Sequence, residues 1–211
     1  MYNCNQTMDL TGRRVALTLI IFLAAFFSPR SLLAAELNDA GQKTDASEFT
    51  RAIVNYETPD VAVIRQDGKK SSFSKELDDG RPVILNFVFV SCSAICPMLS
   101  HLFSIVQTKL DKEGQKFHLM SISIDPESDT PAKLTEYAKK FGAGPDWNLY
   151  TGTREASIFI QKAFNAYRGD KMKHASVIFM RAAPGKPWLR LEGFVSPDEV
   201  IREYLNMTQQ Q

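Results

Sequence analysis

The sequence holds little of what a disulfide-stapled or nucleic-acid-binding chain needs. There are three cysteines in 211 residues. Cys4 stands near the N-terminus with no lipobox around it, which leaves Cys92 and Cys96 for the rest of the chain. Two cysteines four positions apart cannot staple a fold together. Charge of one sign is also missing: 25 lysines and arginines face 24 acidic residues, a formal charge of +1. With no basic surplus and no interleaved basic and aromatic patch, a nucleic-acid partner is excluded. Internal repeats and low-complexity tracts are absent. A hydrophobic content of 44% and a charged content of 23% predict one globular domain with a substantial core.

Long apolar runs are scarce too. Val15 to Phe27 follows Arg13-Arg14 and precedes Ala34-Ala35, the layout of an export signal. As a helix this run reaches only about 20 Å at ~1.5 Å per residue, short of a bilayer core of about 30 Å. A cleaved signal peptide over residues 1–35 is therefore expected. An uncleaved N-terminal membrane anchor is the alternative, because Leu32 or Leu33 falls where the cleavage site prefers a small residue. Loss of residues 1–35 would remove Arg13, Arg14, Arg30 and Asp9 and leave a charge of −1. The expected location is periplasmic, or anchored to the outer face of the inner membrane. Residues 36–55 are polar without a sustained period and read as a linker, so the folded domain is placed at 56–208.

Within that domain the turn signal Gln66-Asp67-Gly68-Lys69 divides Val61-Ala62-Val63-Ile64-Arg65 from Ser71-Ser72-Phe73, which predicts a hairpin ahead of the main fold. Val83 to Val90 is nearly all apolar, as in a strand covered on both faces. Leu99, Leu102, Phe103, Val106 and Leu110 recur at helical spacing up to Glu113-Gly114. Phe117 to Ile124 is a second strand, Thr130-Pro131 opens a helix closed by Gly142, Trp147 to Tyr150 is a short strand, and Glu155 to Tyr167 a helix. Ala175 to Met180 and Trp188 to Leu191 form a hairpin around Ala183 to Pro187. Ser196-Pro197 opens the last helix, with the serine as cap. This order is α/β and fits a thioredoxin-like fold: a central mixed sheet flanked by helices, with an extra N-terminal β-hairpin.

The chemistry is concentrated in Asn86 to Pro97, where an apolar strand delivers Cys92 and Cys96 to a helix N-terminus. Amide N–H groups without intrahelical partners and the positive end of the helix dipole should acidify both thiols. Three intervening residues set the thiols one helical turn apart, so a helix beginning near Cys92 would let both face one point.

Three stretches in order, Cys92-Ser93-Ala94-Ile95-Cys96-Pro97, then Ser123-Ile124-Asp125-Pro126-Glu127-Ser128-Asp129-Thr130-Pro131, then His174 ahead of a strand, resemble the Sco/SenC family of thioredoxin-like copper chaperones. The resemblance runs from about residue 56 to 205. It implies that Cys92, Cys96 and His174 bind copper. It further implies delivery of the metal to a respiratory copper enzyme such as the cytochrome c oxidase copper centre, with another copper chaperone or a thiol reductase as a further partner. Two thiolates and an imidazole are a soft set suited to Cu(I), and to Cu(II) if a further donor joins.

Asp125 is expected as an outer partner of a ligand or a weak donor, with a plain turn residue as the alternative. Lys171 and Lys173 are expected to hold His174 neutral by their charge, Asp129 to cap the helix after it, and His101 and His118 to be structural or exposed. Met98 and Met172 are read as gap-fillers rather than ligands. An enzymatic alternative uses the same pair: Cys92 and Cys96 as the redox-active cysteines of a thiol–disulfide oxidoreductase that reduces a partner's copper-site thiols. Against it, thioredoxin-type enzymes use two intervening residues and place a proline where His174-Ala175-Ser176 stands.

Overall fold

A computed structural model of the chain describes residues 49–209. The expected signal at 1–35, Cys4 and the first part of the linker lie outside the described residues. Eight strands form one sheet in the order β1-β8-β7-β4-β5-β6-β2-β3. Its centre is β4 (Val83–Val88), β5 (His118–Ser123) and β6 (Trp147–Gly152), mutually parallel. On one side β7 (Val177–Arg181) runs antiparallel to β4, followed by β8 (Trp188–Gly193). On the other side β2 (Ala62–Arg65) pairs antiparallel with β6 and with β3 (Lys70–Ser72), so the expected hairpin extends the sheet.

The central strands are apolar without a break because both faces are covered. Alternate residues serve opposite layers. Ile84, Leu119, Ile178 and Met180 pack with α2 (Ile95–Lys112), α3 (Pro131–Phe141) and α5 (Pro197–Gln209). Val83, Leu85, Phe87, Met120, Ile122, Val177 and Phe179 pack on the other side, beside α1 (Phe73–Leu77) and the end of α4 (Arg154–Ala163). The helix punctuation follows the residues. Thr130 caps α3 ahead of Pro131, and Gly142 ends it in the left-handed region at φ 69°. Ser196 Oγ accepts the Glu199 amide N–H at 3.2 Å, while Glu199 Oε2 accepts the Ser196 N–H at 2.9 Å, a reciprocal cap on α5.

Two expectations are corrected. The linker does not extend to residue 55: Phe49–Val54 is β1, paired antiparallel with β8 from Phe49 opposite Gly193 to Val54 opposite Trp188. As an edge strand with four consecutive exposed residues it carries no buried alternation that a sequence pattern would reveal. Phe73 does not close the hairpin but begins α1, where it is fully buried and Ser72 caps the helix. Among the described residues no helix is long and apolar enough to cross a membrane.

Candidate metal centre

The site lies at the C-terminal end of β4, beside the start of β7. Phe89 to Ala94 leave the strand as a short loop, and α2 begins only at Ile95. Cys92 is therefore in the loop and Cys96 in the first helical turn, rather than both on one helix. Ala94, the N-cap, supplies no side-chain acceptor. That role falls to the Cys92 sulfur: burial pushes its pKa up, but the backbone N–H groups of Cys96, Ala94 and Ile95 that address it outweigh this and leave it lowered.

Cys96 behaves oppositely, so the expectation of two acidified thiols holds for Cys92 alone. Cys96 is fully buried against Val88 and Phe89. Burial raises its pKa strongly, and the neighbouring Cys92 and Asp129 charges add to this against a 3.5 Å bond from the Phe89 N–H. Both thiols are free.

His174 reaches this point from the other side of the chain. Its Nε2 lies 3.4 Å from Cys96 Sγ, and Nδ1 lies 3.1 Å from the Lys171 carbonyl. A carbonyl only accepts, so the ring proton is on Nδ1, and the bare Nε2 lone pair faces the Cys96 thiol. The Phe89 ring meets the imidazole edge-on, centroids 5.4 Å apart. The His174 pKa is lowered, as expected, but the cause is burial and not lysine charge: the Lys171 ammonium is ion-paired with Asp125 at 2.6 Å.

That pairing places Asp125 next to the site through Lys171, with no bond to Cys92, Cys96 or His174. Asp129 does not cap α3, whose cap is Thr130. It is 1% exposed, and its carboxylate accepts the Ser123 hydroxyl at 2.7 Å and the Val90 N–H at 3.2 Å. It thereby ties the loop leading to Cys92 to the end of β5. Met98 and Met172 are 41% and 71% exposed and fill no core gap. His101 is exposed and His118 buried.

Among the described residues no three His, Cys, Asp or Glu side chains are drawn close enough together to hold a metal ion. Cys96 Sγ meets His174 Nε2, and Cys92 packs beside Cys96. These soft donor atoms suit Cu(I), and a metal entering there must displace the Cys96 proton.

Residues 58–209 match the model of the SCO1/SenC family. The chain belongs to that family. An SCO1 protein homologue of Bacillus subtilis (strain 168) is 30% identical over 141 residues, covering 63% of this chain and 72% of the relative. Among solved structures, BsSco, described as having a disulfide switch and as a member of the Sco family of cytochrome c oxidase assembly proteins, superposes with a TM-score of 0.64. It is 26% identical, over 77% of this chain and 99% of BsSco. Arabidopsis thaliana ScoI, solved with copper bound, gives a TM-score of 0.62 at 25% identity, over 76% of this chain and all of that one. The thioredoxin-like expectation thus holds for this Sco chain.

The residues that sequence reasoning missed or misassigned are Lys171, Asp129 and Phe89. Phe89 was hidden in an apolar run. Asp129 sits where a cap would be expected, one position before Thr130, and only its burial reveals the other use.

Proposed function

We propose that this Sco protein carries copper as cargo, held by Cys92, Cys96 and His174, and hands it to a respiratory copper enzyme outside the cytoplasm. The observation that carries the reading is the approach of the bare Nε2 of His174 to Cys96 Sγ at 3.4 Å, beside a second thiol whose pKa is lowered. Copper-bound relatives such as Arabidopsis ScoI support it. Three protein donors leave room for a fourth from the recipient, so transfer by ligand exchange needs no open intermediate. Export, by a cleaved signal or a retained anchor, would place the protein with the recipient, for which the cytochrome c oxidase copper centre is the first choice.

The decisive experiment is an anaerobic Cu(I) titration of the reduced protein against a competing chelator. One Cu(I) per chain is expected, with binding abolished by Cys92→Ser or Cys96→Ser and weakened by His174→Ala. If all three variants bind as the wild type does, the reading fails.

A second reading draws on the unequal thiols. A lowered pKa at half-exposed Cys92 beside buried, protonated Cys96 is what attack and resolution in thiol–disulfide exchange require. Rapid turnover with a disulfide substrate, together with unaltered Cu(I) affinity in His174→Ala, would favour it.

A further inference from the structure

We infer that the ion pair between Lys171 and Asp125 is a latch that positions His174, which makes Lys171 a positioning residue of the copper site. The inference rests on the reading of His174 as a ligand.

His174 is carried on an irregular connection between α4 and β7. Beyond the short 3-10 turn Lys171–Lys173, no regular element fixes it. Both its backbone N–H, at 3.3 Å, and its ring Nδ1, at 3.1 Å, address one acceptor, the Lys171 carbonyl. Whatever places Lys171 therefore places the imidazole and sets its tautomer.

The Lys171 ammonium reaches Asp125 Oδ2 at 2.6 Å. Asp125 is a firm post: Ile124 N–H donates to Val88 O at 2.9 Å, Asp125 N–H to Ser123 Oγ at 3.1 Å, and the Asp125 carbonyl accepts from Ser128 and Asp129. The same ammonium lies 5.5 Å from the centroid of Phe89, whose ring meets His174. Lys171 thus closes a circuit through Asp125, Phe89 and His174. Asp125, Lys171 and His174 also line one cleft of about 330 Å³, so the latch stands where a recipient's donor group would approach the imidazole.

An ion pair whose lysine end stands in solvent, as that of Lys171 does, adds little to global stability. The latch should therefore act on the ring and not on the fold, and that difference makes it testable. The variants are Lys171→Met, Lys171→Arg and Asp125→Asn in the full chain, with thermal melting as control. The first readout is copper-free: ring nitrogen NMR shifts of His174. Wild type and Lys171→Arg should show the Nδ1–H tautomer, and Lys171→Met and Asp125→Asn a mixture. The second is Cu(I) affinity, expected to fall about 10- to 100-fold in Lys171→Met and Asp125→Asn, the range for partners behind a ligand, and to recover in Lys171→Arg. An unchanged tautomer and affinity in Lys171→Met overturn the latch. A loss confined to Asp125→Asn overturns it too, because Asp125 would then act on the metal directly. If His174→Ala leaves Cu(I) affinity intact, the ligand reading has failed, and the copper-free tautomer still decides the latch.

Discussion

Cys96 and His174 are 78 positions apart, yet the sulfur of one and Nε2 of the other meet at 3.4 Å. The sheet makes this meeting. β4 and β7 are antiparallel neighbours, with Asn86 opposite Ile178, so the chain leaving β4 toward Cys96 lies beside the chain that enters β7 from His174. Parallel order in the centre of the sheet then brings the end of β5, with Asp125 and Asp129, to the same edge. Ligand sites favour this edge of open α/β sheets.

The two thiols should react very unequally. Alkylation of the reduced protein at neutral pH is expected at Cys92 first, with Cys96 slower by about tenfold for each pKa unit that separates them. The pH at which Cys92 reaches half its maximal rate should lie below that of an ordinary free thiol, since the α2 amides favour its thiolate. Peptide mapping after timed iodoacetamide exposure across pH 6 to 9 checks this. Equal rates would contradict the asymmetry.

The layered α/β order was legible because each buried strand and amphipathic helix has its own period, and the cysteines because C-x-x-x-C-P is local. His174 was legible only through the resemblance, since nothing in a lone histidine specifies its partner 78 positions away. The opposite thiol acidities were not legible: both cysteines share one helix start in sequence, and only the later opening of α2 at Ile95 separates a thiol capped by amides from one sunk against Phe89. Asp129 misled for a related reason. Position favours a capping role, whereas burial and the Ser123 and Val90 bonds were set by β4 and β5 lying side by side.

His118 should make stability depend on pH. It is 1% exposed, and burial depresses its pKa to about 4. As pH falls below the unfolded value of about 6.5, the unfolded chain takes up a proton that the folded chain refuses. Stability therefore drops from about pH 6.5 to about 4, by about 3 kcal/mol in all. Asp79 and Glu76, whose pKa values are lowered, keep their charge through most of this window. Urea unfolding at pH 7.5, 6, 5 and 4.5 should show the decline, and His118→Gln should flatten it.

Asp129→Ala should loosen the loop that carries Cys92. The substitution strands the Val90 N–H and frees the Ser123 hydroxyl, and a buried donor left unpaired costs about 1–3 kcal/mol. Denaturant midpoints should shift accordingly, and amide exchange at Val90 should quicken relative to the middle of β4. Asp129→Asn retains an acceptor oxygen and should lose less. If Val90 exchanges at the wild-type rate in Asp129→Ala, the carboxylate does not hold the loop.

Phe164 connects the core to the His174 segment. It is fully buried at the C-terminal cap of α4, and its ring lies within 4.9 to 6.2 Å, centroid to centroid, of Tyr56, Phe73, Phe87, Phe179 and Trp188. Its carbonyl accepts from Arg190 at 3.0 Å, and the next residue, Asn165, turns the chain at φ 51° toward the connection that bears His174. Phe164→Ala removes the middle of this cluster and should cost about 3–5 kcal/mol, with Phe164→Leu costing less because most of the volume stays. Beyond the stability loss, the connection should lose its fixed origin. In Phe164→Leu, still folded at 25 °C, Cu(I) affinity should fall while Cys92 alkylation stays at the wild-type rate, since the amides at the start of α2 are untouched. Equal slowing or speeding at Cys92 would mean that the aromatic cluster supports the whole sheet edge rather than the histidine segment.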